Sequence, residues 1–387
     1  MKNNSKALKI TILLVSSLTV MSIVTISPSL PEMSLAFSGI KNSNFLVKLV
    51  LTIPALFIAI GAPIAGILID KYGRLKLLWV ALITYAISGT LGYFLSDIYS
   101  ILISRAVLGM AVGVSMTVVI TLIADYFDGS ERQKFVGMQV AFMSFGGIVF
   151  IGLGGVLADI SWRHPFFIYS FSLLILPLTF LYLYEPKIEQ HDAAKAANLK
   201  PPKIIWLLFF NMLIMWVFFF MIPVQLPFQL KALGIEKNSL IGAAIAVSTA
   251  FSVISAISYS KIKNKFSHFS IFSVGYLLMA ISFGLVAFAS SYLMVIIAMI
   301  FAGLGMGMMI PNTNIWVMNI TPPEIRGKEI GKLTTFWFLG QFLSPILLLP
   351  ISAKYSFSVT FYIAASCLFL LSIAYAFLHF AKLKKTE

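Results

Sequence analysis

The sequence predicts an all-α membrane protein of twelve transmembrane helices, set out as two parallel six-helix pseudo-repeats, and three observations carry that prediction. Hydrophobic residues fill 59% of the 387 positions and charged ones only 11%, whereas soluble domains carry roughly a quarter charged residues. Twelve apolar stretches follow one another, each near the ~20 residues that a helix needs to cross a hydrocarbon core of about 30 Å. Finally, the chain matches itself when it is slid by about half its length.

In order, the stretches cover residues 10–31, 45–69, 75–95, 98–123, 134–157, 165–184, 204–226, 239–259, 270–289, 292–318, 333–352 and 358–380. The first follows Lys2, Lys6 and Lys9 and resembles a signal peptide in charge. Its apolar run is too long for one, and no small-x-small cleavage site precedes the second stretch, so it reads as an uncleaved helix. Lys and Arg, counted loop by alternating loop, set the orientation. The N-terminus, the loops after spans 2, 4, 6, 8 and 10, and the C-terminus hold 21 of the 28, and the opposite loops hold 5. Lys48 and Arg105 lie inside spans and complete the total. Both termini are therefore expected on the cytoplasmic side of a cell membrane. The formal net charge of +14 then reports topology, and no soluble domain remains to bind nucleic acid.

A slide of 194 residues aligns Gly109 with Gly303, Gly113 with Gly307, Arg132 with Arg326, Gly137 with Gly331 and Gly146 with Gly340. The predicted organisation is a bundle over residues 1–184, a cytoplasmic linker over 185–203 and a second bundle over 204–387. Parallel repeats of this kind are a transporter architecture, with the substrate site near the membrane midplane. Enzyme chemistry finds little to work with. One cysteine, Cys367, supports neither a disulfide nor a cysteine zinc site, and His164, His191, His268 and His379 share no ligand spacing. No metal or cofactor is expected.

The loop after the second span reads Gly66-Ile-Leu-Ile-Asp70-Lys71-Tyr72-Gly73-Arg74-Leu75-Lys76. Gly66 would allow close helix packing, Gly73 a tight turn, and Asp70 among cations a charged latch. This segment resembles the G-x-x-x-D-R/K-x-G-R-R/K motif of the major facilitator superfamily, and the resemblance covers essentially the whole chain. Pro28-Ser-Leu-Pro31, Arg105-Ala-Val-Leu-Gly109 and Asp125-Tyr-Phe, followed by Glu131 and Arg132, are similar to the twelve-helix drug:proton antiporter branch. The resemblance implies that Asp70, Arg74 and Asp125 form a relay that latches the cytoplasmic side. It also gives Arg105 a role in proton transfer. Asn264, Lys265 and His268 align with Asp70, Lys71 and Arg74 at the repeat offset, so one latch is expected and not two.

Arg105 lies eight residues beyond Asp97, about 12 Å at 1.5 Å per residue, which places it near mid-membrane and predicts an inward-facing side chain with a partner. Gly109 and Gly113 share its face and read as helix packing. In the fifth span the branch pattern is half present: Gly146, Gly154 and Gly155 remain, while Phe150 and Ile151 stand where Gly and Pro belong. At the repeat offset Pro345 falls opposite Ile151 and supplies a comparable kink. All 14 acids fall in loops or at span ends, and Glu32, just past Pro31, is the best-placed acid for proton coupling. The expected cavity is neutral and aromatic, drawing on Met116, Gln139, Met143, Trp216, Phe220, Gln225, Gln229, Asn312, Asn314, Trp316, Trp337 and Gln341. The sequence thus points to a monomeric carrier of small organic molecules, driven by a proton gradient, that exports drug-like or toxic solutes. A metabolite or siderophore exporter and a nutrient importer share the same fold. A channel or a membrane-embedded lipid enzyme are the readings from other classes.

Overall fold

The computed structural model describes residues 5–186, 199 and 201–383. Among these residues, twelve helical segments are long and apolar enough to cross a membrane. The first is not continuous. Helix α1 (Lys6–Val24) gives way to a 3-10 turn at Ser27–Ser29 and then to α2 (Leu30–Ala36). Pro28 and Pro31 sit in the opening positions of the turn and of α2, where a missing N–H costs least. Then come α3 (Ser43–Tyr72), α4 (Arg74–Leu91), α5 (Ile98–Tyr126) and α6 (Gly129–Ile160), followed by a 3-10 segment, His164–Ser170, leading into α7 (Phe171–Tyr182).

The second series repeats the broken first span as α8 (Ile205–Phe219) and α9 (Met221–Ala232). It continues with α10 (Asn238–Ile257), a short α11 (Tyr259–Lys263), α12 (His268–Ala287), α13 (Tyr292–Ile320), α14 (Arg326–Lys354) and α15 (Phe357–Leu383). Helices α6 and α14 begin at Gly129 and Arg326, earlier than the 134 and 333 expected from hydropathy. Their first turns are polar (Glu131, Arg132, Lys328, Glu329), so an apolar window cannot see them although the backbone is already helical.

The chain divides into two compact units, Met1–Gln190 with Lys237–Ala243, and His191–Glu236 with Ala244–Glu387. Within each unit the repeat is visible at the level of single contacts. A Cβ added to Gly109 would lie 2.5 Å from the Pro54 carbonyl oxygen of α3, and one added to Gly113 would lie 2.9 Å from that of Ile58. In the second unit, Gly303 and Gly307 meet the carbonyls of Ser248 and Ser252 on α10, which lie at the same offset of 194. Two helices cross without side chains between them in both units, and dispersion at close backbone approach holds them. Arg132 and Arg326 are equivalent in the same sense. Arg132 donates from Nε to the Phe127 carbonyl at 2.7 Å, and Arg326 from Nη2 to the Thr321 carbonyl at 3.3 Å. Each guanidinium therefore satisfies the C-terminal carbonyl of the helix before it.

Candidate functional site

At the basic end of the first unit, Gly73 separates α3 from α4 with φ +81°, a conformation that favours glycine. Arg74 opens α4 and donates from Nε to Asp125 Oδ2 at 3.2 Å. Its side chain is 9% exposed and that of Asp125 is 26% exposed, so the pair is only partly screened by solvent. A third acid completes the arrangement. Glu185, just past α7, accepts the backbone N–H of Arg74 on Oε1 at 2.7 Å and that of Leu75 on Oε2 at 2.8 Å. A carboxylate placed on the free amides at the start of α4 is favoured by the helix dipole. Its approach also explains the glycine: a Cβ at Gly73 would lie 3.0 Å from Glu185 Oε1. Tyr184 N donates to Tyr126 Oη at 3.2 Å, which ties the same segment to the end of α5. Burial pushes the Tyr184 phenol above its usual range.

Sequence reasoning places Glu185 in the linker and gives it no part in the latch. The signal for it lies only in tertiary proximity, since 111 residues separate it from Arg74. The Asp70 side chain lies outside the described residues. The close packing expected at Gly66 is not formed, because this position is exposed and a Cβ there would meet nothing within 4 Å.

Arg105 is fully buried, at 0% exposure, which rules out snorkelling to the surface. It has partners, but they are not carboxylates. Nε donates to the Val50 carbonyl of α3 at 3.2 Å and Nη2 to the Ser22 carbonyl of α1 at 2.5 Å. The guanidinium lies 4.7 Å from the Tyr169 ring and 6.0 Å from that of Phe166. Carbonyl dipoles and aromatic faces thus replace a counter-ion, and among the described residues Nη1 is buried without a hydrogen-bond partner. Lys48, at 1% exposure, is also buried in this unit.

The branch glycines of α6 are all in close contact. Gly146 packs on Ser17 of α1, Gly154 on the Thr25 carbonyl, and Gly155 on the Asn238 carbonyl at the start of α10. On the same helix Gln139 donates from Nε2 to Ser16 Oγ at 2.9 Å, while Met143, and Met116 of α5, are half-buried. At the end of the first unit remote from Arg74, Glu32 of α2 accepts from Asn238 Nδ2 at 2.5 Å.

The second unit gathers several of the residues expected to line a cavity. Trp216 of α8 stacks on Trp337 of α14, with ring centroids 4.7 Å apart and planes at 14°. Gly340 permits the approach, since a Cβ there would lie 2.9 Å from Trp216 Cβ. Gln341 and Ser344 follow on α14, and Gln225 lies on α9 at 0% exposure. Among the described residues, both side-chain polar atoms of Gln225, Gln341 Oε1, Ser344 Oγ and both indole N–H groups are buried without a hydrogen bond. Orphaned polar atoms cost about 1–3 kcal/mol each in a protein interior, so several of them on α8, α9 and α14 are unusual unless a ligand or ion completes them. Phe220 is buried beside the break in the span, and Pro345 is buried within α14.

Three other expected cavity residues have different work. Gln229 is satisfied by Ser358 Oγ at 3.1 Å. Asn312 accepts on Oδ1 from Tyr259 Oη at 3.2 Å, lies 2.7 Å from His268 Nδ1, and donates from Nδ2 to the His268 carbonyl at 3.0 Å. Trp316 stacks on His268, with centroids 4.7 Å apart. Asn312 and Trp316 therefore belong to a hydrogen-bonded and stacked network around His268. Burial pushes the Tyr259 phenol in this network up to about 12. Asn314 is half-buried on α13.

Twelve membrane-length helical segments, close helix crossings repeated in both units, and buried aromatic and polar side chains left incompletely satisfied define a membrane transporter and not an enzyme. The profile of the Major Facilitator Superfamily matches residues 12–270 and 232–387, and the chain belongs to that family. It is similar to the Quinolone resistance protein NorA of Staphylococcus aureus, at 25% identity over 296 residues, covering 74% of this chain and 75% of the relative. It is also similar to the uncharacterized MFS-type transporter YuxJ of Bacillus subtilis, at 26% identity over 326 residues, covering 80% and 81%. Among solved structures it resembles the inward open xylose transporter XylE from E. coli, with TM-score 0.76, 17% identity and coverage of 95% and 94%. The nucleoside transporter NupG aligns with TM-score 0.75, 14% identity and coverage of 95% and 98%. The structural matches speak for the fold alone.

Proposed function

We propose that this chain is a secondary active carrier that works by alternating access and exports drug-like or toxic small organic molecules in exchange for protons. In this reading it acts as a monomer in the cytoplasmic membrane, with both termini inside. One observation carries it: Trp216 and Trp337 stack with both indole N–H groups unsatisfied, and Gln341 and Ser344 on the helix of Trp337, with Gln225 on α9, also hold buried unsatisfied polar atoms. A flat aromatic surface with a few unfilled donors and acceptors suits a planar or cationic amphipathic solute better than a polyhydroxylated one. The similarity to a quinolone resistance protein supports the same substrate class. Arg74, Asp125 and Glu185, together with Asp70, form the cytoplasmic latch. Arg105 holds α1, α3 and α5 in register for proton transfer, and Glu32 is the coupling acid.

The test is transport into inverted vesicles carrying the purified protein, with a panel of fluoroquinolones, lipophilic cations and siderophores, with and without an imposed pH gradient. Gradient-driven accumulation of a fluoroquinolone or cation, lost in Trp337→Ala and Gln341→Ala, is the expected result. Movement of siderophores alone, or movement indifferent to the gradient, would retire the drug:proton reading.

A further inference from the structure

At the end of the first unit remote from Arg74, two acids from distant segments meet one amide. Asn238, the first residue of α10, is 1% exposed. Its Nδ2 donates to Glu32 Oε1 of α2 at 2.5 Å and to the Ala158 carbonyl of α6 at 3.0 Å, which uses both of its hydrogens. Asp159, the next residue of α6, accepts the backbone N–H of Asn238 on Oδ1 at 2.6 Å. The N–H of Ser239 lies 3.3 Å from each of its carboxyl oxygens. One carboxylate thus caps the first turn of α10, and the other holds the side chain of the residue that opens it. Glycines allow this closeness: a Cβ at Gly155 would lie 2.7 Å from the Asn238 carbonyl, and one at Gly242 would lie 2.9 Å from the Ile151 carbonyl.

An orphan completes the picture. Asn238 Oδ1 is buried and, among the described residues, accepts no hydrogen bond. The two carboxylates that hold this residue through its Nδ2 and backbone N–H are acceptors, and a proton added to one of them creates a donor that the orphaned oxygen can take.

We propose that Glu32, Asp159 and Asn238 form a proton-binding site that ties the first turn of α10 to α2 and α6 and loosens it when a proton binds. This rests on the proton-coupled reading above and deepens it. The step is an acid–base one: a carboxylate takes a proton from water at that end of the protein, one O–H bond forms, and the same bond breaks when the proton leaves. A proton on Asp159 removes the negative charge from the start of α10, where a helix dipole favours an anion. A proton on Glu32 turns an acceptor for Asn238 Nδ2 into a donor that Oδ1 can take, at the cost of the existing bond. Other charged and titratable groups on or beside the surrounding elements include Lys41 ahead of α3 and Lys48 on it, Arg163 and His164 ahead of α7, and Glu236 and Lys237 ahead of Asn238. The guanidinium of Arg163 is engaged, donating to the carbonyls of Tyr93 at 2.9 Å and Leu95 at 2.6 Å. Sequence reading nominates Glu32 alone, because Asp159 and Asn238 stand 127 and 206 residues further along the chain.

The experiment needs no substrate. In the full chain carrying Cys367→Ser, which removes the one exposed thiol, Lys237→Cys is labelled with an environment-sensitive fluorophore in nanodiscs. Its emission is followed from about pH 8 to about pH 3, a range that covers carboxyl titration. The parent is expected to shift on acidification. Glu32→Gln with Asp159→Asn should show the acid spectrum at every pH, and Glu32→Asp should restore the shift. An unshifted parent, or a double variant that titrates as the parent does, overturns the site. Transport separates the two readings: a site that titrates as described in a wild type that ignores a pH gradient refutes proton-coupled export and leaves the site standing. Gradient-driven transport that survives the double variant at an unchanged rate refutes the site and leaves the export reading standing.

Discussion

Replacing Glu185 with alanine should release the start of α4, and the expected size can be worked from two bonds. The carboxylate receives N–H groups from Arg74 and Leu75 at 2.7 and 2.8 Å, both within the normal range for charge-assisted bonds. Hydrogen bonds to charged groups contribute about 1.5–3 kcal/mol each, but this site is only part-buried and water takes over much of the work. Losses of helix-capping side chains, which do the same job, cost about 0.5–2 kcal/mol. A figure of about 1–2 kcal/mol for the local opening of α4 follows, or ~5–30-fold in the opening constant at 1.36 kcal/mol per factor of ten. Hydrogen exchange of peptides covering Ile69–Val80, measured by mass spectrometry in nanodiscs, reads this directly. Exchange of the Arg74 and Leu75 amides should accelerate by that factor in Glu185→Ala and by less in Glu185→Gln, which keeps one acceptor. Exchange within about twofold of wild type in both variants would mean that the carboxylate does not hold the helix, and the account of Gly73 would fall with it.

Other outcomes follow from the same structure. Gly109→Ala forces a methyl against backbone of α3, and after a gain of about 0.5–1 kcal/mol in helix propensity it should still destabilise by about 1–2 kcal/mol; the melting temperature in detergent checks this, and an unchanged or raised value refutes the close crossing. Arg105→Lys retains charge but cannot span the carbonyls of Val50 and Ser22 while stacking on Tyr169, so it should lose most transport despite its conservative appearance, as initial rates in vesicles would reveal. Asp97 caps α5, and the N–H of Ser100, followed by its hydroxyl, holds the Asp97 carboxyl below its ordinary value. A depressed carboxyl stabilises above its unfolded value of about 3.9, and that contribution disappears as pH falls through the folded value. Wild type should therefore melt higher than Asp97→Asn at neutral pH, with the two curves converging in acid; a constant difference at all pH values would exclude the cap. Glu32→Gln should abolish pH-driven transport while leaving counterflow exchange intact, and full pH-driven transport in that variant would remove Glu32 from coupling.

Much of this architecture is legible in the sequence because a membrane leaves a chain few choices. Backbone groups in hydrocarbon must bond within the helix, so length and hydropathy locate the twelve spans, although the first, read as one stretch ending at Pro31, is broken at Ser27–Ser29 and runs on to Ala36. The repeat is equally readable, since Gly109 and Gly303 mark equivalent crossings and Arg132 and Arg326 equivalent caps. Local polarity is a weaker guide. Asn312 and Trp316 look like cavity residues, yet what decides their role is His268, 44 residues away from Asn312 and on another helix. Glu185 and Asp159 read as acids at span ends, which is what they are. Nothing in a one-dimensional pattern says that each ends on the free amides of another helix. Arg105 is expected to be buried and partnered, and it is, but its partners are backbone carbonyls and ring faces, which leave no trace in composition.

Carriage of the solute by alternating access is tested most directly by counterflow. Vesicles preloaded with an unlabelled fluoroquinolone are diluted into a trace of the labelled compound, and internal label and membrane current are followed together. A carrier of this kind gives a transient overshoot of label that saturates with concentration and disappears in Trp337→Ala, without ohmic current. Label that only equilibrates, without saturation and with current linear in voltage, would contradict it.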